Sequence, residues 1–66
     1  MRCKIKVNNL YLSDFWMNAD GTVTYIEFNN SLYYVFSSGA EAEQTAKIFE
    51  KELAIPHENM KILMVE

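Results

Sequence analysis

Apolar residues recur at helical spacing in one stretch of this sequence, and elsewhere they mostly alternate. Ala42, Ala46, Phe49 and Leu53 follow one another at intervals of four, three and four, which draws a single stripe along one helix face. Ser38-Gly39-Ala40-Glu41 in front of it has the spacing of a capping box. In that motif Ser38 accepts from the backbone N–H near Glu41, and the Glu41 side chain reaches back. Glu43, Gln44, Lys47, Glu50 and Lys51 fall mostly outside the stripe, and Glu43–Lys47 is a supporting i,i+4 pair. Pro56 stops the helix or follows its end closely. A single helix has a single face to bury, so the rest of the chain must supply the surface that it covers.

That surface reads as strands. Arg2, Lys4 and Lys6 alternate with Cys3, Ile5 and Val7, the period of a half-buried strand. Asn8-Asn9 then offers the positive φ that a two-residue hairpin turn needs. The turn would set Val7 opposite Leu10 and Ile5 opposite Leu12 on one face, with Lys4, Lys6, Tyr11 and Ser13 on the other. The second strand continues through Phe15-Trp16-Met17 to a turn at Asn18-Ala19-Asp20-Gly21. Thr22 to Asn29 is a third strand with Thr24, Ile26 and Phe28 on one side. Leu32 to Phe36 reads as a short fourth, with Tyr33 and Val35 opposed to Leu32, Tyr34 and Phe36. Lys61 to Val65 is apolar on both faces, the mark of an interior strand. The expected fold is α+β: an antiparallel sheet of four to five strands with one helix packed on one face, in the order β-β-β-β-α-β. One helix covers only one face, and the other is open to Tyr11, Trp16, Tyr25 and Tyr33, the face of Trp16 being left to strand order.

With 66 residues the chain forms one domain spanning 1–66, and a domain so small has a marginal core of its own. Half the residues are apolar and 23% are charged, a globular composition. The single Cys3 excludes an internal disulfide and suits a reducing cytoplasm. No apolar run approaches the roughly 20 residues of a membrane-spanning helix, and Arg2, Lys4 and Lys6 break any signal-peptide core.

The net charge is −3 and unevenly placed. No Lys or Arg occurs from Asn8 to Ala46, where Asp14, Asp20, Glu27, Glu41 and Glu43 lie. Three cations at one end are a poor match for a phosphate backbone, whereas the acidic middle suits a basic patch on a protein.

The residues that could carry chemistry have simpler explanations. Asn18 to Phe28 imitates the back of an EF-hand loop, with Asn18, Asp20, Gly21 and Glu27 at the third, fifth, sixth and twelfth positions. The first position falls on Trp16, which cannot ligate calcium, and the entering segment alternates like a strand. Cys3 and His57 are the raw material for a nucleophile and base, but Cys3 belongs to an apolar strand face and His57 to a turn. Glu41 and Glu43 complement the helix dipole. No phosphate loop, CxxC or histidine pair is present. We therefore expect a non-enzymatic protein with no cofactor and no metal site.

Ile5-Lys6-Val7-Asn8-Asn9-Leu10-Tyr11-Leu12, then Val35-Phe36-Ser37-Ser38 and Glu41-Ala42-Glu43 with Ala46, carry a likeness over most of the chain. They resemble small uncharacterised proteins encoded by phages and prophages of low-GC Gram-positive bacteria. In that group an "IKV-NN-LYL" type hairpin leads to a "VF-S" strand end, an Ala/Glu-rich helix and a last strand. The Trp16 region has no counterpart there, and no functional residue carries over. The resemblance implies a small accessory protein of the bacterial cytoplasm that binds and inhibits a host protein.

The residues expected at a site for a host or phage protein are Trp16, Tyr11, Tyr25 and Tyr33, the residue types enriched in binding hot spots, with Asp14, Asp20 and Glu27 as an acidic rim. Two other outcomes fit the same pattern. The aromatic face could be buried by the chain's own copy in a homodimer, which would supply burial that a small core lacks. Less in keeping with the charge is a small nucleic-acid-binding protein using Arg2, Lys4, Lys6 and aromatic stacking.

Overall fold

Residues 1–65 are described by a computed structural model of the chain. Its elements are β1 (Cys3–Val7), β2 (Leu10–Met17), β3 (Val23–Asn29), α1 (Gly39–Leu53), a 3-10 turn (His57–Asn59) and β4 (Met60–Met64). The four strands form one antiparallel sheet in the order β3-β2-β1-β4, with α1 packed against it. The fold is the α+β arrangement that one amphipathic stripe and several alternating segments require.

The β1–β2 hairpin turns as its Asn pair suggests. Val7 stands opposite Leu10 and Lys6 opposite Tyr11, with Asn8 at φ 55. Cys3, Ile5 and Leu12 are buried. Leu10, expected with them, is exposed instead, because it lies at the hairpin tip. The second turn places Gly21 at φ 88, where a side chain would be strained. The Gly21 N–H donates to the Asn18 carbonyl at 3.0 Å.

Two irregularities in the β2–β3 ladder decide which side chains face the helix. Leu12 pairs with Phe28 and Asp14 with Glu27, so Ser13 is an extra residue on β2. The Asp14 carboxylate accepts from the Phe15 N–H at 2.9 Å, and Ser13 Oγ donates to the Glu27 carbonyl at 3.1 Å. Beyond this bulge Phe15 pairs with Ile26 on the core side, and Trp16 with Tyr25 on the other. A second shift pairs Met17 with Val23 and leaves Thr24 unopposed. Val23 therefore packs on the core in place of Thr24, which is exposed and accepts from Asn18 Nδ2. A bulge changes the face of every later residue relative to simple alternation.

Leu32 to Phe36 is not a regular strand. Its alternation survives, but it bonds two different strands where their own pairing stops. The Tyr34 N–H donates to the Leu12 carbonyl of β2 at 2.8 Å, while Phe36 and Cys3 of β1 exchange both backbone bonds at 2.7 and 3.0 Å. Paired Cα positions of β1 and β2 run only through Lys6–Tyr11, so the Tyr34–Phe36 segment enters the fork between them. It delivers Phe36 to the core, where Phe15 stacks on it at 5.9 Å between centroids and meets Phe49 edge-on at 5.6 Å. Tyr34 completes the cluster against Phe15 and Phe36.

Helix α1 begins at Ser38, whose Oγ accepts from the Glu41 N–H at 3.2 Å. The Glu41 carboxylate is held by Ser37 Oγ at 2.8 Å, so the reciprocal half of the motif is supplied one residue earlier than expected. Ala42, Ala46 and Phe49 are buried, together with Thr45, whose hydroxyl bonds the Glu41 carbonyl. Leu53 is 37% exposed, since the last helical turn runs past the core. Ala54 then takes a left-handed conformation, φ 54 and ψ 35, ahead of Pro56.

The last strand corrects one expectation. It pairs with β1 from Cys3–Met64 to Val7–Met60 and forms an edge of the sheet. Its two apolar faces reflect a strand whose helix-side residues are only partly covered: Ile62 is 36% and Met64 63% exposed.

Candidate functional site

The sheet face opposite the helix carries the side chains singled out in the sequence. From β1 come Lys4 and Lys6, from β2 Tyr11, Ser13, Asp14 and Trp16, from β3 Tyr25 and Glu27, and from β4 Lys61 and Leu63. The register makes this assignment, because each is a neighbour, directly or at two-residue spacing, of another on the same side.

Near β1 the face is basic and aromatic. Lys4 Nζ lies 4.6 Å from the Tyr11 ring centre and 4.2 Å from that of Tyr33, and Lys6 Nζ is 5.6 Å from Tyr11. The two tyrosines meet edge-on at 5.7 Å. Ammonium groups over ring faces are attracted by the ring quadrupole, so this part is internally organised. Lys6 stands directly opposite Lys61.

Toward β3 the same face is acidic. Trp16, 65% exposed, is opposite Tyr25, and Asp14 is opposite Glu27. The Tyr25 hydroxyl donates to Glu27 Oε2 at 2.8 Å. That bond to a carboxylate, with further repulsion from Glu27 and Asp14, raises the Tyr25 phenol above its ordinary value of 10.0. Like charges directly across a strand pair oppose sheet formation. The face carries two such pairs of opposite sign, with the aromatic side chains among them.

Asp20 stands apart from this rim. It ties the β2–β3 turn, accepting from Thr22 Oγ1 at 2.6 Å and from the Thr22 N–H at 3.0 Å. These bonds hold its carboxyl below 3.8. Asn18 Nδ2 donates to the hydroxyls of Thr22 and Thr24. The EF-hand-like stretch is thus a hairpin whose polar groups serve the turn, with Trp16 on a strand where a first ligand would be needed.

Cys3 and His57 do not meet. Their strands are neighbours, but antiparallel pairing puts Cys3 beside Met64 and the turn containing His57 beside the Val7 end. Cys3 is buried, and the exposed His57 has Nδ1 3.4 Å from Glu50 Oε2. A cavity of about 230 Å3 lies between α1 and β4, lined by Ala46, Met60 and Ile62 with Glu43, Lys47, Glu50 and His57 at its polar margin. Among the described residues no His, Cys, Asp and Glu side chains gather as a metal site, and no helix is long and apolar enough to cross a membrane.

Sequence reasoning missed Lys61, which joins the basic side only because β4 pairs with β1. It also missed the exposure of Ile62 and Met64. No local signal marks either, since both depend on strand order. No family model, curated protein or solved structure matches this chain.

Proposed function

We propose that this protein is a non-enzymatic protein-binding module that docks a partner on its open sheet face. The observation that carries the reading is the outward Trp16–Tyr25 pair beside Asp14 and Glu27. Two like charges held side by side gain from a cation brought by a partner, and the adjacent rings supply apolar area around it. The partner is a protein with an apolar patch bordered by Lys or Arg. Trp16 and Tyr25 are the central contacts, Asp14 and Glu27 the electrostatic ones, and Tyr11 and Tyr33 extend the surface over β1. Asp20, engaged in its turn, is a peripheral member. We infer further that the partner is a host or phage protein of a bacterial cytoplasm, with inhibition as the outcome.

A second reading has one observation in its favour, the gathering of Lys4, Lys6, Lys61, Tyr11 and Tyr33 on one half of the face. It is single-stranded nucleic acid. The edge-on tyrosines under lysine ammonium groups leave less open ring surface for base stacking, and the acidic half repels phosphate.

The test uses a tagged chain to capture proteins from bacterial lysate, followed by calorimetry with each purified candidate. Trp16→Ala is expected to weaken binding by about tenfold or more, as is the double change Asp14→Asn and Glu27→Gln at low salt. Affinity unchanged by both would overturn the reading. Binding to single-stranded DNA that falls steeply with salt would replace it with the second.

A further inference from the structure

We infer that the chain forms a two-fold dimer by pairing β4 with β4 of a second copy, which joins the two sheets into one of eight strands. This surface is separate from the open face, and its test does not depend on the proposed function.

The hydrogen-bond parity of β4 leads to this arrangement. The Val65 N–H donates to the Arg2 carbonyl at 2.9 Å and the Asn8 N–H to the Asn59 carbonyl at 2.9 Å. Residues with odd numbers on β4 therefore bond β1. In an antiparallel ladder alternate residues turn their backbone groups to the opposite side. The N–H and C=O of Ile62 and Met64 consequently point away from β1, and among the described residues no strand lies beyond β4. The Met60 N–H is already engaged by the His57 carbonyl in the 3-10 turn, while the Met60 carbonyl remains on the outer side.

The same even-numbered residues carry the uncovered apolar side chains. Met60, Ile62 and Met64 stand opposite Val7, Ile5 and Cys3 on the helix side, yet Ile62 and Met64 remain substantially exposed. A two-fold axis at Ile62 sets Ile62 against its own copy and Met60 against Met64. Four backbone bonds then form: two between the Ile62 residues, and one from each Met64 N–H to the opposite Met60 carbonyl. Six apolar side chains meet in one strip on the helix side, next to the apolar floor of the α1–β4 cavity.

The occupant is a second copy because the register is self-complementary. On the other side of the sheet it places Lys61 opposite Leu63, so the two Lys61 ammonium groups are not paired with each other, as they would be with Lys61 at the axis. The margin of the cavity carries both signs in Glu43, Lys47 and Glu50, so no single-sign field opposes the approach. The other edge, β3, is interrupted at Thr24 and faces a bulge at Ser13, features that spoil an edge for pairing. β4 pairs without interruption along its five residues.

Sedimentation velocity from micromolar to millimolar protein reads the assembly directly. The expected result is a reversible dimer of twice the 7.7 kDa protomer mass. Ile62→Pro removes an outward N–H and no β1 bond, so it should weaken the dimer by about tenfold or more while circular dichroism stays unchanged. Met64→Lys brings charge into the strip without touching the backbone and should act likewise. Hydrogen exchange on the native chain gives a third readout: the Ile62 and Met64 amides become protected as concentration rises. A monomer throughout, growth beyond the dimer, amides insensitive to concentration, or a dimer lost in Trp16→Ala and indifferent to Met64→Lys would each overturn the proposal.

Discussion

Asp14 and Glu27 stand directly opposite each other on β2 and β3, with Glu27 also accepting the Tyr25 hydroxyl. Ionising that phenol would remove its hydrogen bond and set a third negative charge beside the two carboxylates, so its pKa lies above 10.0. The folded chain then holds the proton more tightly than the unfolded chain. This contribution to stability is fully present below pH 10 and is lost as pH rises from there through the raised value. Glu27→Gln should move the Tyr25 titration back toward its ordinary position. The ring carbon shift of Tyr25, followed by NMR against pH, checks this; an unmoved midpoint would show that Glu27 is not the cause.

Asp20 works in the opposite sense. Thr22 bonds its carboxylate through both hydroxyl and N–H, which holds the group below 3.8. Its contribution is present above the unfolded value and is lost as pH falls through the depressed one. Thr22→Val keeps the N–H bond and removes the hydroxyl. The Asp20 carboxyl resonance should then titrate at higher pH than in the unaltered chain, and acid unfolding should begin earlier. Identical carboxyl titrations would contradict the assignment.

Ala54 ends α1 at φ 54, a conformation that costs a residue bearing a Cβ roughly 1–2 kcal/mol. Ala54→Gly relieves it at the position where glycine most often terminates helices. Allowing for the greater freedom of glycine in the unfolded chain, the expected gain is about 1 kcal/mol. In a domain of this size that raises Tm by about 4–8 °C. Differential scanning calorimetry gives the answer, and a fall in Tm would refute the argument.

Phe49 is wholly buried and meets Phe15 edge-on. Phe49→Ala should cost about 3–5 kcal/mol, comparable to the entire stability of a small domain at about 0.05–0.15 kcal/mol per residue. The variant should be largely unfolded at room temperature. Phe49→Leu retains most of the volume and should remain folded with a lower urea midpoint. A Phe49→Ala chain with a native midpoint would mean that the helix is not held by this contact.

The elements legible in the sequence are those written in neighbouring residues. Ser38 announces the helix start, and Cys3, Ile5 and Val7 with Asn8-Asn9 announce the first hairpin. The uncovered face could be expected to hold Tyr11, because the alternation that begins at Lys4 carries through the hairpin to it. Beyond Leu12 alternation alone misleads, since it would turn Trp16 toward the helix, whereas the bulge brings Phe15 there. Nothing in Ser13-Asp14 announces the bulge before its partner Glu27 is known. The same is true of Tyr34–Phe36, which alternates like a strand but divides its bonds between Leu12 and Cys3. The edge position of β4 is a property of strand order, and an apolar segment such as Ile62-Leu63-Met64 reads as interior until its neighbours are known.

The extra residue on β2 also has a genetic consequence. Losing one codon inside a strand normally exchanges core and surface for every residue that follows, a change few small domains survive. Here Ser13 is the residue without an opposite number, so an in-frame deletion of its codon restores plain two-residue alternation. Leu12 and Phe15 stay on the helix side and Asp14 and Trp16 on the other. Deletion at Tyr11 or Trp16 has no such refuge. Strand β2 therefore contains one point at which its length can change over descent while both of its faces are inherited intact.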